Sequence, residues 1–443
     1  FLMSDDPVKL QGLIDIAEHY GKRYRITYGA SKTKITVSGS AIDRQYYSDT
    51  TPWTMDGISI KVVEDNEHLG QIVSGSNQTI KNIDNRLKKG RGSLFKLLGP
   101  AFAYRCLLSP VVKLHLYRMY ACPIIRSGLS SFTLRESSLQ PLTIFQRKTI
   151  RSILKLSKTS CIPALHFLTG ELPIEGKIHR DVFSLLFSVW TNPNTKIYDI
   201  VKYLLKNSTD NSRTWSIFIR QLSIKYGLSD PLVCLNSDPP EKSTYKELVL
   251  TKITSFYERE LRENSLTNSC MSYLNVSVTG LRGRHHPALS NQLTTFEVLK
   301  SRPHLKMLCQ DYLTYEKRAD QSGGSPHCRS CNPVPDQPRP AESLVHILAE
   351  CEQYSDIRDR IFPEIEYLCT RSFLDFRSIS ADKSNLSQFI LDPSSLNLTS
   401  RVNMKDPNME SFFRKSRDFC YSVHNRRMKI LKQKKEMPAT AIK

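Results

Sequence analysis

Apolar residues near the start of the chain recur at helical spacing, at Leu10, Leu13, Ile14 and Ile16. The stretch SDDP shortly before them has the composition of a helix N-terminus, because serine and aspartate side chains accept hydrogen bonds from free N–H groups and proline fits the first turn. Carboxylates there also interact favourably with the helix dipole. The pattern predicts a helix from Asp6 to about Tyr20, and it favours capping over catalytic metal binding as the role of Asp5 and Asp6.

Short β-rich runs surround this helix. Residues 1–3 have the composition of a strand end, and further strands are predicted at residues 23–27, 34–37 and 68–73. Asp56-Gly57 separates two β-rich runs, and this dipeptide favours a type I′ hairpin because both central residues of that turn have positive φ. The first 75 residues are therefore expected to form a small α+β unit.

From residue 77 to about residue 265 the pattern is helical. It is clearest at residues 138–156, where one side of the predicted helix carries Leu142, Phe145, Ile150, Ile153 and Leu154. Another side carries four cations, Arg147, Lys148, Arg151 and Lys155. Because no acid interrupts the four cations, the pattern favours a phosphate-facing surface over a merely solvated one. The predicted fold class is mainly α, with the small α+β unit at the N-terminus.

The chain is strongly basic. Its 443 residues contain 63 Lys+Arg against 43 Asp+Glu, a formal net charge of +20. Residues 81–158 hold sixteen Lys or Arg and two acids, and residues 412–435 hold nine against one. Such an excess of one sign indicates a polyanionic partner, and nucleic acid is the commonest large one. Further candidate phosphate contacts are Lys88, Lys89, Arg91, Arg426 and Arg427.

Cysteine usage and hydropathy exclude several classes of protein. The eleven cysteines are scattered, mostly singly, which is typical of a reducing compartment rather than of a disulfide scaffold. No apolar run reaches the roughly 18 residues of a membrane span, so we expect no membrane partner. A Gly-rich phosphate loop, a nucleophile elbow and a His-Glu-x-x-His motif are all absent from the sequence.

The sharpest motif is Cys328-Arg329-Ser330-Cys331, which is followed after fourteen residues by His346 and then by Cys351. A CxxC turn places two thiolates at the spacing of two zinc ligands, and His346 with Cys351 can complete a tetrahedron. Because four protein ligands leave no open position, the predicted zinc site is structural rather than catalytic. His327 is the substitute ligand.

A resemblance to a known family covers the opening of the chain. The palm of reverse transcriptases from LINE-type (non-LTR) retrotransposons is similar to the run FLMSDDPVKLQGLIDIAEHYGKRYRITYGASKTKITV. In that family a Tyr/Phe-x-Asp-Asp turn is followed by a strand, a polar turn and a helix, and then by a strand with an S-K-T-K motif. Residues 1–3 match that first strand and Asp5-Asp6 the helix start, which implies that the catalytic aspartates lie upstream of Phe1.

Further segments extend the resemblance. Lys32 in SKTK matches a palm lysine near the departing pyrophosphate, with Lys34 as its substitute. His68-Leu69-Gly70 resembles the primer-grip hairpin, with His68 in place of the usual aromatic residue. The cationic helices resemble the thumb, and residues 305–314, the Cys/His motif and the basic tail resemble the C-terminal region.

Pattern and resemblance together predict six segments. They are the end of the palm (1–75), a basic helical thumb (76–160), a helical connector (161–265), a linker with a helical segment (266–320), a zinc-knuckle-like unit (321–365) and an extension with a basic tail (366–443).

The resemblance implies part of an RNA-directed DNA polymerase that binds RNA template and primed DNA, as a ribonucleoprotein of nucleus and cytoplasm. Mg²⁺ is expected only in the intact polymerase, and we expect no DNA synthesis by this chain alone. Two alternatives stay open. One is a co-opted zinc-containing RNA-binding protein without enzymatic activity, and the other is a metal-dependent endonuclease that uses Asp336, Asp375 and Lys383.

Overall fold

A computed structural model describes residues 2–29, 31–50, 53–103, 108–209, 214–266, 271–276, 280–290, 294–331, 338–372, 374–395 and 407–436. The first helices are α1 (Pro7–Tyr24), α2 (Ala41–Thr50), α3 (Gln78–Ala103), α4 (Pro110–Leu116), α5 (Cys122–Arg126), α6 (Glu136–Leu154), α7 (Ile162–Thr169), α8 (Ile174–Trp190) and α9 (Lys196–Asn207). The others are α10 (Trp215–Tyr226), α11 (Pro231–Leu235), α12 (Lys242–Leu266), α13 (Thr295–Leu308), α14 (Tyr315–Ser322), α15 (Ser355–Arg371), α16 (Phe376–Ala381), α17 (Lys383–Leu391) and α18 (Pro407–Glu436). This confirms the predicted, mainly α fold class.

The predicted helix start at Asp6 is confirmed. The Asp6 carboxylate accepts hydrogen bonds from the N–H groups of Val8 (2.8 Å) and Lys9 (3.4 Å), and Pro7 opens α1. The prediction of a strand at residues 23–27 is wrong, because α1 continues to Tyr24 and ends at Arg25 in a left-handed conformation. The β propensity of this run is overridden within the helix, where the ring of Tyr24 packs 4.4 Å from that of Tyr20, one turn earlier.

Three two-stranded sheets complete the N-terminal unit. Their strands are β1 (Lys34–Ile35), β2 (Thr54–Met55), β3 (Ile58–Ser59), β4 (Lys61–Val62), β5 (Asp65–His68) and β6 (Gln71–Ser74). The β2–β3 hairpin turns at Asp56-Gly57 as predicted, with φ of 51° and 74°. Residues 68–73 are not one strand, because His68 ends β5, Leu69-Gly70 form the turn and β6 begins at Gln71. Residues 2 and 3 form no strand, residue 1 lies outside the described residues, and α2 was not foreseen.

The N-terminal unit has its own small core, formed by Ile14, Ile35, Trp53, Met55 and Ile60. One continuous core then extends from Ile83 on α3 to Val423 on α18. The thumb, connector, zinc and C-terminal segments predicted from the sequence therefore share a single apolar interior.

Helix α6 shows how its sequence pattern is used in this core. Its predicted apolar side is buried, from Leu142 to Leu154, and Lys155 ends the helix in a left-handed conformation with φ of 58°. The larger part of the chain is thus organised by ordinary amphipathic helices. None of the helices within the described ranges combines the length and the apolar character needed to cross a membrane.

Substitution of Asp6 directly tests the capping role predicted for the start of α1. Asp6→Ala should lower the free energy of unfolding of α1 by about 1 kcal/mol, whereas Asp6→Asn should change it by a few tenths, because asparagine caps nearly as well. Hydrogen exchange of the amides of Val8 and Lys9 measures the effect locally. Asp5→Asn is the matched control, since the Asp5 side chain is exposed. Equal losses in both Asp6 variants would show that its charge matters beyond capping.

Candidate metal centre and cationic surfaces

The four predicted metal ligands lie together. One ligand atom from each of Cys328, Cys331, His346 and Cys351 falls within 4.8 Å of the others. A short antiparallel bridge between His327 and Ala341 fixes the backbone at Cys328, whose N–H donates to the carbonyl of Pro340. This bridge brings the CxxC turn next to the segment that carries the other two ligands.

A π-helical turn at His346–Glu350 positions the last two ligands. The Cys351 N–H donates to the His346 carbonyl across five residues, at 2.7 Å. Closing the turn over five residues instead of four places residues 346 and 351 one turn apart, so both side chains reach the same point. Single π turns of this kind are frequent at functional sites.

The spacing of the ligand atoms fits a tetrahedral ion. The Cys331 sulfur lies 3.6 Å from the Cys351 sulfur and 3.3 Å from Nε2 of His346. Two sulfurs bound tetrahedrally at about 2.3 Å from an ion would be roughly 3.8 Å apart, and a sulfur and an imidazole nitrogen roughly 3.5 Å. The cluster could therefore hold a metal ion with little rearrangement.

Carboxylates surround the ligands. Oε2 of Glu350 lies 3.3 Å from Nδ1 of His346, which leaves Nε2 facing the cluster. Oε1 of the buried Glu342 lies 3.9 Å from the Cys328 sulfur. Outer partners of this kind orient metal ligands and fix the histidine tautomer. Sequence reasoning missed Glu350, although its position four residues after His346 was a usable signal.

The three thiols perturb one another's pKa values. A hydrogen bond from Cys351 lowers the pKa of Cys328 to about 3, and the same bond raises the pKa of Cys351 far above its usual range. Burial raises the pKa of Cys331 to about 11. A bound cation would favour the thiolate at all three positions, because thiolates are the metal-binding form.

His327, Asp375 and Lys383 are not part of the four-residue cluster. His327 is exposed and is not one of the four clustered residues. Asp375 caps α16 by accepting a hydrogen bond from the Arg377 N–H at 3.0 Å, and Lys383 is an exposed residue at the start of α17. Asp336 lies outside the described residues. A capping role for Asp375 matches its local sequence without any metal.

The predicted cations of α18 make internal contacts. Arg427 is only 4% exposed and donates to both carboxylate oxygens of Glu342, at 3.1 and 2.7 Å. Arg426 pairs with Asp356 at 2.9 Å. The guanidinium of Arg427 therefore stabilises the fold next to the metal cluster.

The predicted cations of α6 have divided roles. Arg151 donates to the hydroxyl and carbonyl oxygens of Ser160, and half-buried Arg147 lines a cavity of about 960 Å³. Lys148 is exposed, and Lys155 is half-buried at the helix end. The four residues therefore do not present one open cationic face.

Helix α3 does present such a face. Lys88, Arg91 and Phe95 follow one another at helical spacing and are exposed, and Phe95 has 76% of its surface accessible. Lys96 is exposed beside them. Lys89 is different, because it pairs with Glu67 of the β5–β6 hairpin at 2.5 Å. Sequence reasoning missed Phe95 and Lys96, although their spacing from Lys88 and Arg91 was visible.

The primer-grip-like hairpin is attached to α3. The side chain of Asn82 bonds both backbone groups of Ile72, at 2.8 and 2.7 Å, and Arg86 donates to the carbonyl of Gly70 at 2.6 Å. Leu69 at the tip has φ of 48° and is 90% exposed. This strained, exposed leucine contributes nothing to the core. His68 is exposed beside it.

The palm lysines are also exposed. Lys32 lies in a turn, where its backbone N–H donates to the Gly29 carbonyl at 2.9 Å, and Lys34 lies in β1.

No protein-family model matches the chain, and no curated protein matches it.

The cluster predicts one bound metal ion per chain. Cys331→Ser should remove it and loosen the contact between the CxxC turn and the segment of His346 and Cys351, because metal–thiolate bonds would join the two. Elemental analysis of protein purified without chelators measures the stoichiometry, and proteolysis reports local unfolding. Cys234→Ala, at a buried thiol on α11, is the control and should keep the ion. Metal-free wild-type protein, or full occupancy in Cys331→Ser, would contradict the assignment.

Proposed function

We propose that this chain binds nucleic acid as the C-terminal part of an RNA-directed DNA polymerase of the LINE-type (non-LTR) retrotransposon class. The observation that carries the proposal is the exposed face of α3, where Lys88, Arg91 and Lys96 surround Phe95. Cations bind phosphates without reading sequence, and an exposed aromatic ring offers a stacking platform for bases. RNA template and primed DNA are the proposed ligands.

The β5–β6 hairpin supports the same proposal. Its tip carries His68, Leu69 and Gly70 in the order of the family's primer grip, and its base is hydrogen-bonded to α3. An apolar tip beside a cationic helix suits the end of a primer, because the sugar and base edges are less polar than the phosphates. Binding of the primer end would then explain why the strained backbone conformation of Leu69 is kept.

Zinc is the proposed ion of the Cys/His cluster. Three thiolates and one imidazole form a soft donor set with four protein ligands, which is the pattern of a structural zinc site. The ion would join the CxxC turn to the segment of His346 and Cys351, close to α18, where Arg427 binds Glu342 beside Cys328. Its proposed role is to maintain the shape of the C-terminal region rather than to perform catalysis.

The α3 face can be tested by charge removal. The triple variant Lys88→Gln, Arg91→Gln and Lys96→Gln should weaken binding of a primer–template duplex. Each phosphate that is no longer neutralised should reduce the slope of log K against log salt by about 0.9. Fluorescence anisotropy over a range of salt concentrations measures both quantities. The matched control replaces three exposed lysines of other helices, Lys196, Lys206 and Lys242, with Gln. If both triple variants weaken binding equally, the effect is due to net charge alone and α3 is not part of the interface.

Leu69→Gly separates structure from function at the hairpin tip. Glycine adopts positive φ without strain, so this variant should raise the free energy of unfolding by about 1 kcal/mol or less. The same variant should weaken primer–template binding, because glycine has no apolar side chain to offer the primer. Leu69→Asn, which also tolerates positive φ, should behave similarly. If both variants bind as tightly as wild type, the hairpin tip lies outside the interface.

A further inference from the structure

A second cluster of cations lies where α4, the end of α6 and α13 come together. Lys113 on α4 is only 2% exposed. Burial, with the neighbouring positive charges of Lys155 and Arg302, lowers the pKa of its ammonium to about 8. The charge of Arg302, after burial, also lowers the pKa of Lys155. The three cations therefore lie near one another.

Arg302 has an unsatisfied hydrogen-bond donor. Its Nε is buried and has no hydrogen-bond partner, and within the described part of the chain Arg302 forms no ion pair with an acid. Buried guanidinium N–H groups are normally satisfied, so Arg302 has a hydrogen-bond donor that the fold does not use. A guanidinium presents a planar fork of donors that matches the oxygens of a phosphate.

Arg302 also lines a groove of about 390 Å³ between α13 and α18. Lys306 and Arg318 line the same groove, as does Arg427, whose charge is already paired with Glu342, and Asp311 is the single carboxylate among the lining residues. Asp311 is occupied, because it accepts hydrogen bonds from the backbone and side chain of Ser157. The positive charge of Lys306, after burial and Arg427, lowers the pKa of His424 in this groove. The groove is therefore strongly cationic.

The remaining lining of the groove is aromatic and apolar. Tyr421 lies on its wall and packs edge-on against Phe296 at 5.8 Å, and Phe296 is 53% exposed. Leu313 and Met428 are 42% and 49% exposed at its border. Cations combined with aromatic and apolar contacts are the arrangement that binds single-stranded nucleic acid, in which phosphates meet the charges and unpaired bases meet the rings.

We propose that the α13–α18 groove binds the phosphodiester backbone of a single-stranded nucleic acid. This site is distinct from the α3 face and adds a single-strand site to the proposed nucleic-acid-binding function, on which it rests. Arg302 supplies the central phosphate contact, Lys306 a second one, and Tyr421 a surface for a base.

The test compares two double variants of the full chain. Arg302→Gln with Lys306→Gln should reduce the salt slope for a labelled single-stranded 20-mer by about 1.4, or about 0.7 for each phosphate that is no longer neutralised. Arg371→Gln with Arg377→Gln removes the same charge from an exposed part of α15 and α16 and should leave the slope unchanged. Arg302→Lys with Lys306→Arg preserves the charge and should retain most of the slope, which guards against a simple folding defect.

Each outcome decides the proposal. An unchanged slope in the Gln double variant overturns it, and so does an equal loss in the control. Inorganic pyrophosphate, measured by calorimetry, distinguishes a free anion from a polymer. If pyrophosphate binding is lost in the Gln double variant while oligonucleotide binding is kept, the groove is a small-anion site and the proposal fails.

The α3 triple variant separates this proposal from the proposed function. If the α3 triple variant weakens duplex binding while the Arg302 and Lys306 variant leaves single-strand binding unchanged, the proposed function stands and the groove proposal fails. If the Arg302 and Lys306 variant weakens single-strand binding while the α3 triple variant leaves duplex binding unchanged, the groove proposal is supported and the α3 face is not part of the interface. If wild-type protein binds neither nucleic acid, both proposals fail.

Discussion

The C-terminal half of the molecule depends on one buried ion pair, between Arg427 and Glu342. Neither side chain has more than 4% of its surface exposed. Glu342 also accepts a hydrogen bond from the Tyr315 N–H at 2.9 Å and lies beside the Cys328 sulfur. The pair therefore connects α18, the start of α14 and the metal cluster. Breaking such a pair leaves an uncompensated buried charge, at a cost of about 3–5 kcal/mol.

The net charge of the chain is accordingly not spread evenly over its surface. Arg427 is paired inside the fold, as is Arg118, whose guanidinium joins Lys177 on the buried Glu171. Cations that are bound internally cannot release counterions from nucleic acid. The exposed face of α3 and the α13–α18 groove are different, because there the cations are accessible and accompany aromatic rings. A positive net charge suggests a polyanionic partner, whereas the fold determines which cations are accessible to such a partner.

Two local irregularities coincide with the candidate sites. The π turn at His346–Glu350 aligns two metal ligands that an ordinary α-helical turn would separate. The positive φ at Leu69 holds an apolar side chain in solvent. Both conformations cost free energy that a regular helix or turn would not, and surrounding contacts stabilise them. In the hairpin these contacts come from Asn82 and Arg86 on α3.

The sequence by itself determined the local features. Helical periodicity predicted α6 and its buried side, the SDDP stretch predicted the cap at Asp6, and Asp56-Gly57 predicted a hairpin, because each depends on neighbouring residues only. The clustering of the four candidate metal ligands was also predictable, since their spacing in the sequence suits the geometry of one ion. Tertiary structure decided what depends on distant residues. It placed Arg427 against Glu342, 85 residues away in the chain. It also brought Lys113, Lys155 and Arg302 into one cluster, because charge in the sequence carries no information about which cations the folded chain buries together.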